Sequence, residues 1–365
     1  MKRFLAVLLA LVMTMALVAC GGKEEAPAPA PAPAPSAPAA PAAPEKEEPA
    51  TGYDVSDCDP VEIILPTAAN SAAIETIYLE KWMDRVTELS EGKITFDYTN
   101  GGAMGSFAEL LEGVDYNVYN MTLMEMSYYE SYVPETGMLF MPYIYSGYDH
   151  AAKILNGEIG EWYKNLVAEN TNTMMMNYFP CYFRWINTNT ELHELADCKD
   201  ILIRVPGIKL YEDIFNMMGF APVALGWGDV YTGMSTGIVN GVETTGESIY
   251  NIGFYDYADY VCKSNHLLVT ESVIVNQDFW NDLPAVYQDI MNDAMDEITA
   301  LEWEACIAQE DTYIEKLEAE GVVVTEFSDT AKAELAEMFE PYWYEKAAGI
   351  SDECSDILEQ MIALR

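Results

Sequence analysis

The chain has 365 residues, 50% of them hydrophobic, and its 60 acidic residues outnumber its 18 lysines and arginines to give a formal net charge of -42. Negative charge on this scale excludes nucleic acid, whose phosphates require basic side chains, and anionic lipid surfaces as partners. A chain of this length and apolar content can bury large hydrophobic cores and is expected to divide into two domains.

The first 20 residues predict an export signal that ends at a lipid attachment site. A Lys-Arg start precedes an apolar run at 4–18, which is shorter than the roughly 20 residues that span a bilayer. The sequence L-V-A-C at 17–20 resembles the lipobox of bacterial lipoproteins. We therefore expect removal of residues 1–19 and lipid attachment at Cys20; the alternative is an uncleaved helix.

Residues 20–52 predict a tether between the lipid and the folded protein. Between 26 and 44 the chain contains only Ala and Pro apart from Ser36, a composition that favours extended polyproline II and cannot form a core. No second apolar stretch of spanning length follows. The expected location is thus extracytoplasmic, with the protein held at the cell membrane by its lipid alone.

The first half of the folded sequence predicts alternating strands and helices. A strand at 61–66 precedes a helix with apolar residues at three-and-four spacing from Ile74 to Leu89. Ser106 and Glu109 form the capping pattern that begins a second helix. The other predicted elements are strands at 93–98 and 118–126, an apolar segment at 138–143, a helix at 149–169, and strands at 173–179, 182–187 and 201–205.

The second half predicts two prominent helices and a short C-terminal group of elements. One helix begins near Ile208 and ends at Gly219. A longer one at 284–317 would extend about 50 Å, which exceeds one small domain and predicts a bridge between two. A strand at 322–324 and a helix at 330–346 complete the pattern. The alternation predicts an α/β fold with mainly parallel sheets.

The segment 184–243 contains three motifs in order: R-W-I-N-T-N, L-A-D-C-K-D-I-L-I-R-V-P and G-F-A-P-V-A-L-G-W-G-D-V-Y-T-G-M-S-T-G-I-V-N-G-V-E. The series resembles the solute-binding subunits of tripartite ATP-independent periplasmic (TRAP) transporters of the DctP type, and weaker matches extend it over 61–344. Three departures matter. Tyr182 stands where the family has Gly, and K-D-I-L at 199–202 stands where it has K-G-x-K. Thr244 stands where the family has Asn, which leaves the identity of the solute open.

The resemblance implies a periplasmic-binding-protein-like fold of two α/β domains with a hinge and a long bridging helix. Domain I would comprise 53–181 and 270–309, and domain II 182–269 and 310–365. It also implies a binding protein, not an enzyme, that closes on a small organic carboxylate and delivers it to a small and a large membrane permease subunit. The alternatives are a binding protein of an ATP-driven importer, an enzyme with a catalytic cleft, and a sensor ectodomain.

Candidate ligand contacts follow from charge and from the resemblance. An anion site in so acidic a chain needs an internal arginine, and strand alternation places Arg204 on the face opposite Ile203. A guanidinium pairs bidentately with carboxylate, and the resemblance implies that Arg204 clamps the ligand. It further implies contacts from Arg184, Trp227, Thr244 and Glu125. The alternatives are structural ion pairs for the two arginines and a core position for Trp227. Thr244 and Glu125 could instead be ordinary polar residues of strands.

The sequence predicts no metal and no cofactor. The three histidines are far apart, and none pairs with Cys or an acidic residue at ligand spacing. A P-loop and a G-x-S-x-G nucleophile motif are both missing from the sequence. Six cysteines follow Cys20 without C-x-x-C spacing, so they can be either disulfide-bonded or buried free thiols.

Overall fold

The computed structural model describes residues 52–365. The predicted export signal, the lipid site Cys20 and most of the predicted tether lie outside the described residues. No helix within the described range combines the length and the apolar character needed to cross a bilayer.

Ten strands contribute to the described fold, and most of the predicted strands are confirmed. The predictions at 173–179 and 182–187 are two parts of one 16-residue strand, while no strand bounds were predicted between 205 and 322. The strands are β1 Val61–Pro66, β2 Ile94–Thr99, β3 Met121–Glu125, β4 Thr173–Thr188, β5 Leu202–Val205, β6 Ala221–Ala224, β7 Gly241–Thr245, β8 Tyr260–Cys262, β9 Leu268–Asn276 and β10 Val323–Thr325.

The helices confirm the apolar periodicity but differ from the predictions in length and number. They are α1 Ile74–Leu89, α2 Phe107–Asp115, α3 Tyr148–Leu155, α4 Glu158–Asn170, α5 Lys209–Met217, α6 Val230–Ser235, α7 Gly246–Ile252, α8 Gln277–Asp282, α9 Ala285–Gln309, α10 Thr312–Ala319, α11 Asp329–Ile350 and α12 Asp352–Ala363. The capping box of α2 is present, since the Ser106 hydroxyl accepts from the backbone N–H of Glu109, whose carboxylate accepts from the N–H of Ser106.

Two predicted helices are each divided. The helix expected at 149–169 consists of α3 and α4, and Gly157 separates them. A Cβ at Gly157 would lie 2.4 Å from the carbonyl oxygen of Lys153, so only glycine fits this junction. The helix expected at 284–317 ends at Gln309, and α10 follows after Asp311. At 25 residues, α9 is about 37 Å long, not about 50 Å.

The sheets are mixed, not mainly parallel as predicted. A two-stranded parallel sheet pairs β1 with β2, and the larger sheet has the order β10-β8-β4-β7-β5-β6, with β9 joined to β3 and β4. Strand β4 pairs antiparallel with β9 along its first part and with β7 and β8 along its last five residues. Three of the four antiparallel pairings involve the long strand β4, and the fourth joins β3 to β9.

Tyr182 has an unusual backbone conformation, and it lies where β4 passes from its pairing with β9 to its pairing with β7 and β8. Its φ is 70°, in the left-handed region that favours glycine. The pairing with β9 is irregular between Pro180 and Phe183, directly around this residue. Glycine adopts a left-handed φ without strain, which gives a physical reason for the glycine of the resembled family at this position. In this chain a buried tyrosine adopts that φ.

Two large hydrophobic cores lie on either side of this strand system. One surrounds α1 and α9, where the buried indole N–H of Trp82 donates to the Met291 carbonyl at 3.1 Å. The other contains residues of β5, α5, α11 and α12, among them Ile203 and Phe215. All six cysteines within the described residues are free thiols, and five of them are buried.

Candidate functional site

A cleft lies where β3, β9 and the start of α1 meet β4, β5, β7 and α7. It contains about 570 Å³ of free space, part of it open to solvent. All five predicted ligand contacts line this one cleft, although they are spread over 120 positions of sequence. The complete lining is Ala69, Asn70, Glu75, Phe107, Glu125, Tyr128, Cys181, Arg184, Arg204, Pro206, Trp227, Thr244, Thr245, Glu247, Ser248, Val269 and Glu271.

Arg204 is a buried cation that lacks a carboxylate partner among the described residues. It lies in β5 with 2% of its surface exposed. Its Nε and Nη2 both donate to the carbonyl oxygen of Leu225, at 3.0 and 2.8 Å, and its guanidinium carbon lies 5.4 Å from the centre of the Trp227 ring. Burial lowers the pKa of Arg204, against the opposing effect of Glu243.

The hydrogen bonds of Arg204 to the protein leave one edge of its guanidinium group available. A guanidinium has five N–H donors, one on Nε and two on each terminal nitrogen. Leu225 accepts from Nε and from one N–H of Nη2. The two N–H groups of Nη1 and the second N–H of Nη2 make no hydrogen bond to any residue in 52–365. This remaining edge has the geometry that a carboxylate matches with two parallel hydrogen bonds.

Arg184, by contrast, is engaged by acidic residues of the protein. It is 4% exposed in β4, and its Nε and Nη2 both contact the carboxylate of Glu243, with Nη2 to Oε1 at 2.8 Å. Its Nη1 lies 3.4 Å from Oε2 of Glu125. Burial would lower the pKa of Arg184, but Glu243, Tyr211 and Glu125 together raise it. Arg184 is thus held in an ion pair within the protein. Its contact with a ligand stays a prediction.

The other three predicted contacts surround the two arginines. Trp227, half-buried just after β6, packs edge-on against Phe254 with ring centres 5.9 Å apart. Thr244 is buried in β7. Glu125 ends β3, and its Oε1 accepts hydrogen bonds from the hydroxyls of Ser127, at 2.7 Å, and Tyr211. The structure brings all three to the cleft, while their role in binding stays a prediction.

Three acidic residues of the cleft were missed by the sequence analysis: Glu75, Glu247 and Glu271. All three are at most 8% exposed. Burial and the proximity of other glutamates raise the pKa of Glu75 to about 7 and that of Glu247 to about 8, and they raise the pKa of Glu271 well above its ordinary value. For Glu271 a pattern was available, since it is the only charged residue in the segment L-V-T-E-S-V-I-V.

These acids do not form a metal site. Among the described residues, no group of three or more His, Cys, Asp and Glu side chains is placed so that it could hold a metal ion. The cleft therefore combines the guanidinium group of Arg204 and the ring of Trp227 with several buried carboxyl groups. Such a cavity can select a small polar molecule by its charge and by its hydrogen-bonding groups.

Comparison with protein families gives one match that covers most of the chain. The model described as bacterial extracellular solute-binding protein, family 7, matches residues 66–349. The C4-dicarboxylate-binding protein DctB of Bacillus subtilis is 26% identical over 291 residues, covering 78% of this chain and 81% of the relative. The ectoine/5-hydroxyectoine-binding periplasmic protein UehA of Ruegeria pomeroyi is 25% identical over 225 residues, 60% of this chain and 65% of the relative.

Solved structures agree in fold. The galactonate complex of the sugar acid binding protein DctPAm from Advenella mimigardefordensis has a TM-score of 0.80 at 20% identity, covering 85% of this chain and 100% of that one. A TRAP periplasmic solute binding protein from Desulfovibrio salexigens, with bound orotic acid, has a TM-score of 0.78 at 21% identity and covers 83% and 98%. The predicted family resemblance and the two-domain α/β fold class are confirmed.

Proposed function

The chain belongs to bacterial extracellular solute-binding protein family 7, and on that basis we propose that it captures a small organic carboxylate for a TRAP transporter. The observation that supports this most strongly is the free edge of Arg204, a buried cation directed at the cleft without a carboxylate partner among residues 52–365. A ligand carboxylate would supply that partner. The relative named for C4-dicarboxylates and the neighbour with bound galactonate support a carboxylate ligand.

Binding would proceed by closure of two lobes. Arg204, Arg184, Trp227 and Thr244 belong to the proposed domain II (182–269 and 310–365), and Glu125 to the proposed domain I (53–181 and 270–309). A solute that contacts both favours the closed arrangement, because the additional contacts exist only there. Arg204 grips the carboxylate, Trp227 packs beside it, and Thr244 offers a hydroxyl where the family has an amide.

Delivery would follow at the membrane. We propose that the lipid on Cys20 holds the protein at the outer face of the cell membrane and that the closed form docks on a small and a large permease subunit. The family supports this over the ATP-driven importer. The relatives are binding proteins of transport systems, which supports binding without chemical conversion over the enzyme alternative.

A thermal-shift screen across C4-dicarboxylates, keto acids, sugar acids, aromatic acids and amino acids tests the proposal. A ligand at about 100 times its dissociation constant adds about 2.7 kcal/mol to the free energy of unfolding. We expect at least one acid to raise the melting temperature and to be recovered unchanged after long incubation. A folded protein that no acid stabilises, or an acid that is converted, contradicts the proposal.

A further inference from the structure

We propose that the solute carries a protonated amine in addition to its carboxylate, so that the protein selects a zwitterionic or cationic amino acid. The inference rests on the proposed function, since it assumes that Arg204 takes the carboxylate. It assigns the amine to a second part of the cleft, an acidic subsite formed by Glu75, Glu247 and Glu271.

The strand register places two of the glutamates of the cleft side by side. Glu125 and Glu271 are direct partners in the antiparallel pairing of β3 with β9. Side chains at such positions lie about 4.5 to 5.5 Å apart, and like charges there destabilise a sheet. Glu125 is relieved by Arg184 and by hydroxyl donors. Glu271 forms no ion pair with any described residue, and its pKa is raised well above its ordinary value by burial and by Glu75 and Glu125. It therefore keeps its proton in the free protein, and a bound cation would favour its ionised form.

Glu271 also has a buried atom with no partner. Its side chain is 5% exposed, and its Oε2 is buried without a hydrogen bond from any described residue. A buried carboxyl oxygen left in this state is costly and uncommon. Since Glu271 lines the cleft, a ligand in the cleft is the available source of the missing donor.

The two other glutamates extend the subsite around Glu271. Glu75 lies in the first turn of α1. Glu247, in α7, accepts at Oε2 from the backbone N–H of Ile74 at 3.3 Å and at Oε1 from the hydroxyl of Tyr313 at 3.3 Å. The pKa values of Glu75 and Glu271 are each raised in part by the other acids of the cleft. The three carboxyls thus share one electrostatic environment.

No basic side chain of the described residues forms an ion pair with Glu75, Glu247 or Glu271. Of the two cleft arginines, one is paired with Glu243 and Glu125, and the other is reserved for the ligand carboxylate. A ligand hydroxyl could fill the vacant hydrogen bond of Glu271 but would not stabilise the ionised form of these carboxyls. The carboxyls do not converge as metal ligands. A protonated amine does both, because it donates three hydrogen bonds and its positive charge favours the carboxylate form.

The test uses three matched series of linear acids: ω-amino acids from glycine to 6-aminohexanoate, the monocarboxylates that end in methyl, and the dicarboxylates of equal length, with lysine and arginine added. Affinities are measured by calorimetry on the protein carrying Glu271→Gln, on the protein carrying Glu310→Gln, and on the unaltered protein. Glu310 is the matched control, since it is a buried glutamate that accepts from the backbone of Phe183 and does not line the cleft.

We expect an amine-bearing acid to bind more tightly than both of its matched counterparts, and Glu271→Gln to weaken that acid by about tenfold or more. Glu310→Gln leaves it unchanged. If dicarboxylates or monocarboxylates bind and amine-bearing acids do not, or if Glu271→Gln leaves amine binding intact, the acidic subsite is refuted while the proposed function stands. If no carboxylate binds at all, both fail.

Discussion

Replacing the two cleft arginines one at a time should separate binding from stability. Arg204 offers three N–H donors to the cleft and has no acidic partner among the described residues, whereas Arg184 holds Glu243, which is fully buried. We therefore expect Arg204→Ala to abolish tight binding while the fold remains stable. We expect Arg184→Ala to damage the fold itself.

The magnitudes follow from what each substitution leaves behind. Arg204→Ala leaves a desolvated ligand carboxylate unpaired, which costs about 2 to 5 kcal/mol, or roughly 30-fold to several thousandfold in affinity. In the free protein it removes a buried cation and leaves only the Leu225 carbonyl unpaired, a change of about 1 kcal/mol. Arg184→Ala leaves Glu243 charged and unpaired in the interior, which costs about 3 to 5 kcal/mol of stability.

The assay combines calorimetric titration of the best acid with thermal unfolding of the ligand-free proteins. Arg85→Ala is the control, because Arg85 is partly exposed and pairs with Glu88 and Glu297 at the surface, where such pairs contribute about 0 to 1 kcal/mol. A change of less than about threefold in affinity for Arg204→Ala, with the fold intact, would refute the assignment of Arg204 as the residue that binds the ligand carboxylate. An Arg184→Ala protein as stable as the unaltered one would refute the structural role of its ion pair.

Three further predictions concern pH, packing and thiols. Glu75 and Glu247 hold their protons in the folded state up to pKa values of about 7 and 8 but lose them near 4.5 when unfolded, so the free energy of unfolding should fall as pH rises from 4.5 to 8. Glu75→Gln should flatten that slope in a melting series, and a slope equal to that of the unaltered protein would contradict the buried-acid assignment. Gly246→Ala should destabilise by about 1 to 3 kcal/mol in urea unfolding, because its Cβ would lie 2.3 Å from the Trp185 ring; an unchanged midpoint would show that the ring can move. Of the six described cysteines, Cys58 alone is not buried, so a thiol reagent should label it first in the native protein, and rapid labelling of a second one would contradict the burial.

The sequence predicted most of what local periodicity can encode. Strand β1, helix α1 and the capping box of α2 follow from apolar spacing and one Ser-Glu pair, and all three are confirmed. The two-domain fold came from chain length and from motif order, not from the periodicity of single elements. The long strand β4 was divided in the prediction because Pro180 and the residues around it disrupt the alternation, and only pairing with β9 keeps them in one strand.

The candidate site was predicted in its basic half and missed in its acidic half. Arg204 was detectable because an arginine within an apolar strand is rare and because the motif series marks its position. Glu271 is likewise the only charged residue of its strand, but strand β9 was not predicted, and its neighbour Glu125 comes from a strand almost 150 residues earlier. Such a pairing depends on sheet register, which one sequence does not disclose.

A crystal structure of the protein with its tightest-binding acid tests most directly whether Arg204 binds the ligand carboxylate. We expect a ligand carboxylate within hydrogen-bonding distance of Nη1 and Nη2 of Arg204, while the Leu225 carbonyl still accepts from Nε and the Trp227 ring lies beside the ligand. A guanidinium turned out of the cleft, or one paired only with glutamates of the protein while the ligand carboxylate lies elsewhere, would contradict it.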